Sequence, residues 1–161
     1  MESAAAQRRK SGRPLSFDRK AALEQAMLAF WEHGYDTTSI SNLTAAMGIS
    51  APSLYTAFGD KKRLFLEAAR LYAVSPDDLQ QRLDHAQTAQ DAARDMLILA
   101  ATGFTGEATP RGCLLASATA TGSAEAQDVQ QTLAAIRADI IARLENRIDR
   151  DVQAGILPAA T

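Results

Sequence analysis

Apolar side chains recur at helical spacing along most of this chain, and the pattern predicts a series of amphipathic helices. The first predicted helix covers residues 17–33, with Ser16 as its N-cap, Asp18 in its first turn and Gly34 just beyond its end. Its apolar stripe consists of Ala22, Leu23, Ala26, Met27 and Phe30. We expect this helix to supply a core for the segment that follows it.

Residues 38–58 predict two short helices separated by a glycine turn. The first begins at Thr38 or Ser39, whose hydroxyls can cap its free amides, and ends at Gly48. Ser50 can cap the second helix, whose first turn tolerates a proline because the missing N–H has no intrahelical partner there. The inward-facing residues are Ile40, Leu43, Met47, Leu54 and Phe58. Two such helices form a helix-turn-helix that reads the DNA major groove, although a helical hairpin in an ordinary bundle shows the same turn and caps.

The second helix of the pair leaves small and hydroxyl-bearing residues for its exposed face. Ala51, Ser53 and Thr56 admit close approach to phosphate. Tyr55 adds an aromatic ring that can touch a phosphate or a thymine methyl group. Such a face is suited to lie against a duplex.

Positive charge is concentrated in the first part of the chain. Residues 1–72 hold 10 Lys and Arg against 7 Asp and Glu, whereas residues 73–161 hold 7 against 12. Asp60 can cap a helix whose first turn holds three cations, and a nearby phosphate would explain cations that oppose the helix dipole. Residues 1–15 predict a flexible basic arm in which Arg13 suits a narrow, A·T-rich minor groove, although a disordered solubilising tail would have the same composition.

The order of residues over positions 16–70 resembles the DNA-binding domain of the TetR family of transcriptional regulators. The residues that carry the resemblance are Phe30, Trp31, Glu32, His33, Gly34, Tyr35, Thr38, Ser39, Ile40, Gly48, Ile49, Ser50, Ser53, Leu54, Tyr55, Phe58, Asp60 and Lys61. The resemblance implies a homodimer whose paired N-terminal domains bind a near-palindromic operator in double-stranded DNA. It also implies a C-terminal helical domain that binds a small molecule and moves the DNA-binding domains apart, so that a gene is derepressed.

The resemblance further implies which residues contact DNA. The recognition-helix positions are Ala51, Pro52, Ser53, Tyr55 and Thr56, those on the preceding helix are Ser39 and Ser41, and Lys61 matches a phosphate-binding lysine. Thr38 and Ser50, at the starts of the two short helices, complete the predicted set. Thr56 stands where many relatives have a larger aromatic or basic residue, so the base preference stays open.

The second half of the chain also predicts helices, so the expected class is all-α, with a three-helix helix-turn-helix domain joined to a helical bundle. We expect a DNA-binding domain over residues 16–60 and an effector-binding and dimerisation domain over residues 61–161, with family helices missing at its end. Helices should start after Ser75 and Thr88, and residues 106–110 should form a loop. The last helix should cover residues 124–154, with an inward stripe of Val129, Leu133, Ile136, Ile140, Ile141, Leu144 and Ile148.

The sequence shows neither a signal peptide nor an apolar run near the ~20 residues that span a bilayer, so we expect a cytoplasmic protein.

Small residues over positions 111–122 allow either a cavity or close helix packing. If a cavity forms, the residues predicted to line it as an effector pocket are Phe104, Cys113, Leu114 and Ser117. Cys113 is the only cysteine, which excludes an internal disulfide, and it is either a packed apolar residue or a thiol that senses oxidants. The two histidines are distant from each other and are not accompanied by clustered carboxylates or further cysteines, so no metal site and no cofactor are expected.

These patterns predict a sequence-specific transcriptional repressor that a small molecule releases from its operator. A repressor that senses oxidants or electrophiles through Cys113 and an architectural DNA-binding protein without an effector stay open as alternatives. An enzyme with Cys113 as its nucleophile is not expected, because neither a nearby histidine nor a glycine-rich oxyanion motif accompanies it.

Overall fold

A computed structural model describes residues 17–107, 109–117 and 124–158. Within these ranges the chain forms eight helices and no strand, which confirms the predicted all-α class. The helices are α1 (Arg19–His33), α2 (Ile40–Met47), α3 (Ala51–Phe58), α4 (Lys61–Tyr72), α5 (Pro76–His85), α6 (Ala89–Thr105), α7 (Leu114–Ser117) and α8 (Ala124–Gln153). None of them is long and apolar enough to cross a membrane.

The start of α1 differs from the prediction. The helix begins at Arg19 rather than at residue 17, and its N-cap is Asp18, whose carboxylate accepts hydrogen bonds from the amides of Lys20 and Ala21 at 2.9 and 3.2 Å. Asp18 therefore stands before the first turn and not within it. The predicted cap, Ser16, lies outside the described residues.

The remaining predicted caps of the first half are confirmed. The Ser39 hydroxyl accepts from the Asn42 amide, the Ser50 hydroxyl from the Ser53 amide and the Asp60 carboxylate from the Arg63 amide, at 3.1, 3.3 and 2.7 Å. Between α2 and α3, Gly48 adopts the left-handed conformation with φ 66° and ψ 28°. A residue with a Cβ is strained in this conformation, so the glycine allows the tight turn.

The main core joins α1 to α4 with residues from the second half of the chain. Phe30 and Phe65 meet edge to face at a centroid distance of 5.0 Å, and Tyr35 contacts Phe65 at the same distance. The buried members of this core from α4, α7 and α8 are Leu64, Phe65, Ala68, Ala69, Leu114, Leu115, Ala126, Val129 and Leu133. The domain boundary predicted after residue 60 therefore falls inside one packed core, because α4 covers α1.

A second, smaller core lies among α5, α6 and α8. It contains Leu79, Leu83 and Ala92, with Ile140 and Leu144 of α8 packed against it. The predicted starts of α5 and α6 are confirmed, since Ser75 caps α5 and Thr88 caps α6.

The inward stripe of α8 changes composition towards its end. Ile141 and Ile148 were predicted to face inward, but their side chains are 57% and 38% exposed. The positions that face inward after Leu144 are Arg147 and Asp151, which form a buried ion pair at 3.3 Å. The predicted stripe is therefore wrong at these two isoleucines. Beside Ile141 the inward positions belong to Ile140 and Leu144, and beside Ile148 they belong to the polar pair.

The buried ion pair fastens the end of α8 to the turn between α5 and α6. The Arg147 guanidinium donates to the carbonyl oxygens of Ala86 and Gln87 at 3.2 and 3.1 Å. The Asp151 carboxylate accepts from the Ala89 amide, in the first turn of α6, at 2.6 Å. Both charges are thus compensated by hydrogen bonds to backbone that has no intrahelical partner.

Candidate nucleic-acid interface

The outer face of α3 presents one large side chain and several small polar ones. Leu54 and Phe58 are buried against the rest of the helix-turn-helix, as predicted. Tyr55 is 51% exposed, and Pro52 and Thr56 beside it are exposed as well. Ala51, at the first position of the helix, is half-buried.

The hydroxyls at the start and on the outer face of α3 form hydrogen bonds within the helix and its cap. The Ser50 and Ser53 hydroxyl oxygens lie 2.8 Å apart, and the Thr56 hydroxyl donates to the Pro52 carbonyl oxygen at 2.8 Å. A hydroxyl that donates within the helix can still accept a bond from a base. These contacts orient the three hydroxyls before any partner binds.

The predicted residues around α2 divide into exposed and buried ones. Ser39 and Ser41 are exposed at the start of the helix, where unpaired amides favour a phosphate. Thr38 is only 1% exposed, and its hydroxyl donates to the Gly34 carbonyl oxygen at 2.5 Å. This burial removes the Thr38 side chain from the candidate surface, which corrects the predicted set.

Charge lies beside the two short helices and not on them, since neither α2 nor α3 contains a charged residue. Lys61 is half-buried, and its ammonium donates to the Asp36 carbonyl oxygen at 3.3 Å and lies 4.6 Å from the centre of the Tyr35 ring. These contacts hold the lysine against the turn between α1 and α2. Arg13, the predicted minor-groove contact, lies outside the described residues.

The cations that follow Lys61 have partners within the protein. Lys62 forms an ion pair with Asp128 of α8, and Arg63 lies 3.7 Å from the Asp60 carboxylate. A phosphate is therefore not needed to explain Lys62, which instead links the first turn of α4 to α8.

Arg19 was missed by the sequence analysis, although it lies directly behind the recognition helix. Its guanidinium donates to both carboxylate oxygens of Glu67, at 2.6 and 2.8 Å, and to the Ala57 carbonyl oxygen at 3.2 and 3.4 Å. The guanidinium carbon also lies 4.4 Å from the centre of the Phe58 ring. The hydrogen bond and charge of Glu67 raise the pKa of Arg19 above its usual value.

The predicted effector-pocket residues differ in their surroundings. Leu114 is fully buried in the main core. Phe104 is exposed at the end of α6, and Cys113 is half-buried beside Tyr72. The side chain of Ser117 lies outside the described residues.

Two apolar grooves lie along α5. One, of about 520 Å³, lies between the end of α4, the start of α5 and the middle of α8. Its apolar lining includes Val74, Leu79, Ile136 and Ile140, and Arg70 and Asp139 add one charge of each sign. A second, of about 460 Å³, lies between α5 and α6. Spacing along the sequence gave no signal for either, because each depends on how helices converge.

Comparison with known proteins identifies the family. A family model described as bacterial regulatory proteins of the tetR family matches residues 22–68. The structure is also similar to that of a cysteine mutant of the TetR family transcriptional regulator CifR, complexed with 26-base-pair double-strand operator DNA. The TM-score is 0.84 and the sequence identity 39%, over 93% of this chain and 79% of that one. The chain belongs to the TetR family.

Curated TetR-type relatives match over shorter parts of their length. The HTH-type transcriptional repressor ComR of Escherichia coli is 36% identical over 124 residues, which is 76% of this chain and 59% of that repressor. The HTH-type transcriptional repressor BdcR of Escherichia coli is 39% identical over 66 residues, which is 41% of this chain and 34% of that protein. The chain thus spans about three fifths of ComR and less of BdcR. The TetR resemblance predicted from residues 16–70 is confirmed.

Proposed function

We propose that this TetR-family protein is a sequence-specific transcriptional repressor that binds a near-palindromic operator as a homodimer. The observation that carries the proposal is the geometry of α2 and α3, where a left-handed glycine sets the turn and the outer face of α3 exposes Tyr55 among small residues. A helix with so few large side chains can approach base edges closely. Such a protein acts where the chromosome is, so we place it in the cytoplasm.

In this mechanism α3 enters the major groove and α2 lies across the backbone. Tyr55 contacts a thymine methyl group or a phosphate, and the hydroxyls of Ser53 and Thr56 accept or donate at base edges or phosphates. The first amides of α2, with Ser39 and Ser41, and the fixed ammonium of Lys61 bind phosphates. Arg13 extends the contact into the adjacent minor groove.

The test is quantitative binding of the purified chain to DNA upstream of its own gene and to scrambled DNA of equal length. Both DNAs are titrated at two salt concentrations, and the mass of the protein is measured in solution. A specific regulator prefers the native segment by at least about a thousandfold and has a dimeric mass. Equal, steeply salt-dependent binding to both DNAs by a monomer would contradict the proposal and favour an architectural DNA-binding protein.

We further propose that a small apolar effector binds in the groove between α4, α5 and α8 and releases the DNA. Support comes from α4, which lines this groove with Arg70, followed by its C-cap Ala73, and which also packs against α1 in the main core. A ligand that binds better when α4 has moved away from α8 would shift the helix-turn-helix with it. The expected ligand has an apolar body and a polar group that meets Arg70 or Asp139.

The groove can be tested with the dye 1-anilinonaphthalene-8-sulfonate, which has this chemistry. The Ala135→Trp substitution places an indole in the groove and should abolish the dye's fluorescence enhancement. The matched control is Ala93→Trp, in a shallow surface groove on α6, which should leave the enhancement intact. Equal fluorescence from both variants would show that the dye binds elsewhere and would remove the groove as the effector site.

A further inference from the structure

We propose that Arg19 is a positioning residue for operator recognition, which holds the C-terminal end of α3 so that Tyr55 reaches its base. This inference rests on the proposed function, because it concerns how the recognition helix is oriented. It assigns no DNA contact to Arg19 itself.

The first step of the argument is the length of α3. With eight residues, it spans about two turns, and its buried side chains are Leu54 and Phe58. Its N-terminal end is fixed by the glycine turn that joins it to α2. Its other end carries the buried Phe58 and is joined to α4 through Gly59 and Asp60. A polar contact from α1 adds a further restraint on the backbone of this end.

Arg19 supplies this contact at the Ala57 carbonyl oxygen. Ala57 lies in the last turn of α3, where carbonyl groups lack intrahelical partners and a cation is favoured by the helix dipole. The same guanidinium lies over the ring of Phe58, the last residue of the helix. Two neighbouring groups at this end of α3 therefore meet one side chain from α1.

Glu67 fixes the guanidinium from the opposite side. Both of its carboxylate oxygens accept from Arg19, which gives a bidentate pair between α1 and α4. Only arginine has donors in a planar fork that can reach a carboxylate on one edge and a carbonyl oxygen on another. The pair also compensates the positive charge, so attraction of a phosphate is not the main role of Arg19.

The consequence for recognition follows from the position of Tyr55. It lies two residues before Ala57 on the same short helix, so any tilt at the C-terminal end displaces its ring. Base-edge contacts depend on such geometry, whereas general attraction to phosphates does not. Loss of Arg19 should therefore reduce the preference for the operator more than the affinity for DNA in general.

The experiment compares four chains of the same length: the wild type, Arg19→Lys, Arg19→Met and Lys20→Met. Lys20 is the matched control, because it lies in the same turn of α1 and its side chain is 79% exposed. Affinity for operator and for scrambled DNA is measured at several salt concentrations, below the unfolding temperature of every chain. Circular dichroism confirms that each chain is folded, and Arg19→Lys, which keeps the cation, serves if Arg19→Met does not fold.

We expect both Arg19 variants to lose about tenfold in operator affinity, with less than twofold change on scrambled DNA and an unchanged salt dependence on the operator. Lys20→Met should keep the operator preference. An unchanged preference in the Arg19 variants would overturn the inference. So would an equal loss on both DNAs with a salt slope reduced by about one, because that is the mark of a direct phosphate contact. If the wild type itself shows no preference, the proposed function fails instead, so the two failures are distinguishable.

Discussion

The indole nitrogen of Trp31 donates a hydrogen bond to the carbonyl oxygen of Gly112, 3.1 Å away, across 81 residues of sequence. The same indole meets the ring of Tyr72 edge to face, with centroids 4.8 Å apart. Tyr72 in turn shares a hydrogen bond with Cys113. The segment between α6 and α7 therefore contacts both α1 and α4, the two helices that support the helix-turn-helix.

Replacing Trp31 with phenylalanine keeps an aromatic ring and removes this hydrogen bond. We expect the free energy of unfolding to fall by about 1–2 kcal/mol, from the lost bond and the smaller ring. Urea unfolding followed by circular dichroism measures the change. An unaltered midpoint would mean that the contact between α1 and Gly112 adds nothing to stability.

The stability should depend on pH through Tyr72. Burial, and then the hydrogen bond and charge of Cys113, raise the pKa of the Tyr72 hydroxyl above its usual value. Below about pH 10 the hydroxyl is protonated in both states, and its contribution to stability is complete. Above that pH the unfolded chain loses the proton first, so the contribution is lost as the pH rises.

The variant Tyr72→Phe isolates this effect. Unfolding free energies at pH 8, 9.5 and 11 should decline less steeply for the variant than for the wild type. Parallel declines would contradict the assignment, because they would come from groups that both chains share.

Alanine at two glycines should have opposite effects. At Gly48 an added Cβ meets no atom within 4 Å, but φ is +66°, so only the backbone conformation opposes it. We expect Gly48→Ala to cost about 1 kcal/mol. Gly103 lies inside α6, also with open space, and Gly103→Ala should gain about 0.5–1 kcal/mol. Thermal unfolding of the two variants checks the signs, and a loss at both positions would contradict the argument.

Neutralising one acid of the buried ion pair should be far more damaging than neutralising an exposed acid. Asp151→Asn leaves the buried Arg147 charge without its counterion, at a cost of about 3 kcal/mol. The comparison is Asp84→Asn, which breaks an exposed pair with Arg150 and should have a much smaller effect. The urea midpoints of the two variants are compared with that of the wild type. Equal shifts would show that the buried pair contributes no more to stability than the exposed one.

Tyr55 is the side chain of α3 that we expect to discriminate between DNA sequences. Tyr55→Ala should weaken operator binding by about tenfold or more. The unfolding free energy should change by less than about 0.5 kcal/mol, because the side chain is half exposed. Tyr55→Phe separates the ring from the hydroxyl, since full binding by this variant indicates contact with a thymine methyl group. Operator binding that survives both substitutions would remove Tyr55 from the interface.

The features predicted correctly from sequence are local ones. Ser39, Ser50, Asp60, Ser75 and Thr88 each accept from the amide three residues later, and such a contact is visible in any short stretch of sequence. The family pattern over residues 16–70 can also be read directly from the sequence, because its residues lie close together along the chain.

The features that sequence missed depend on distant partners. Arg19 reaches Ala57 and Glu67, 38 and 48 residues away. Thr38 and Ser39 carry adjacent hydroxyls, and either could cap α2 by sequence alone. The Thr38 hydroxyl instead donates to the Gly34 carbonyl oxygen, so Ser39 is the cap. Ile148 fits the apolar period of α8. The inward position is nevertheless occupied by Arg147, because its guanidinium donates to the Ala86 carbonyl oxygen in the turn between α5 and α6.

The main core runs without interruption from α1 through α4 into α7 and the first turns of α8. Melting of α1 and α4, which support the DNA-reading helices, would expose Leu114, Val129 and Leu133, so both halves of the chain should unfold in a single cooperative transition. A compound that binds only the second half would thus raise the melting temperature of the whole molecule. Thermal shift, with no DNA present, becomes a direct way to search for the effector.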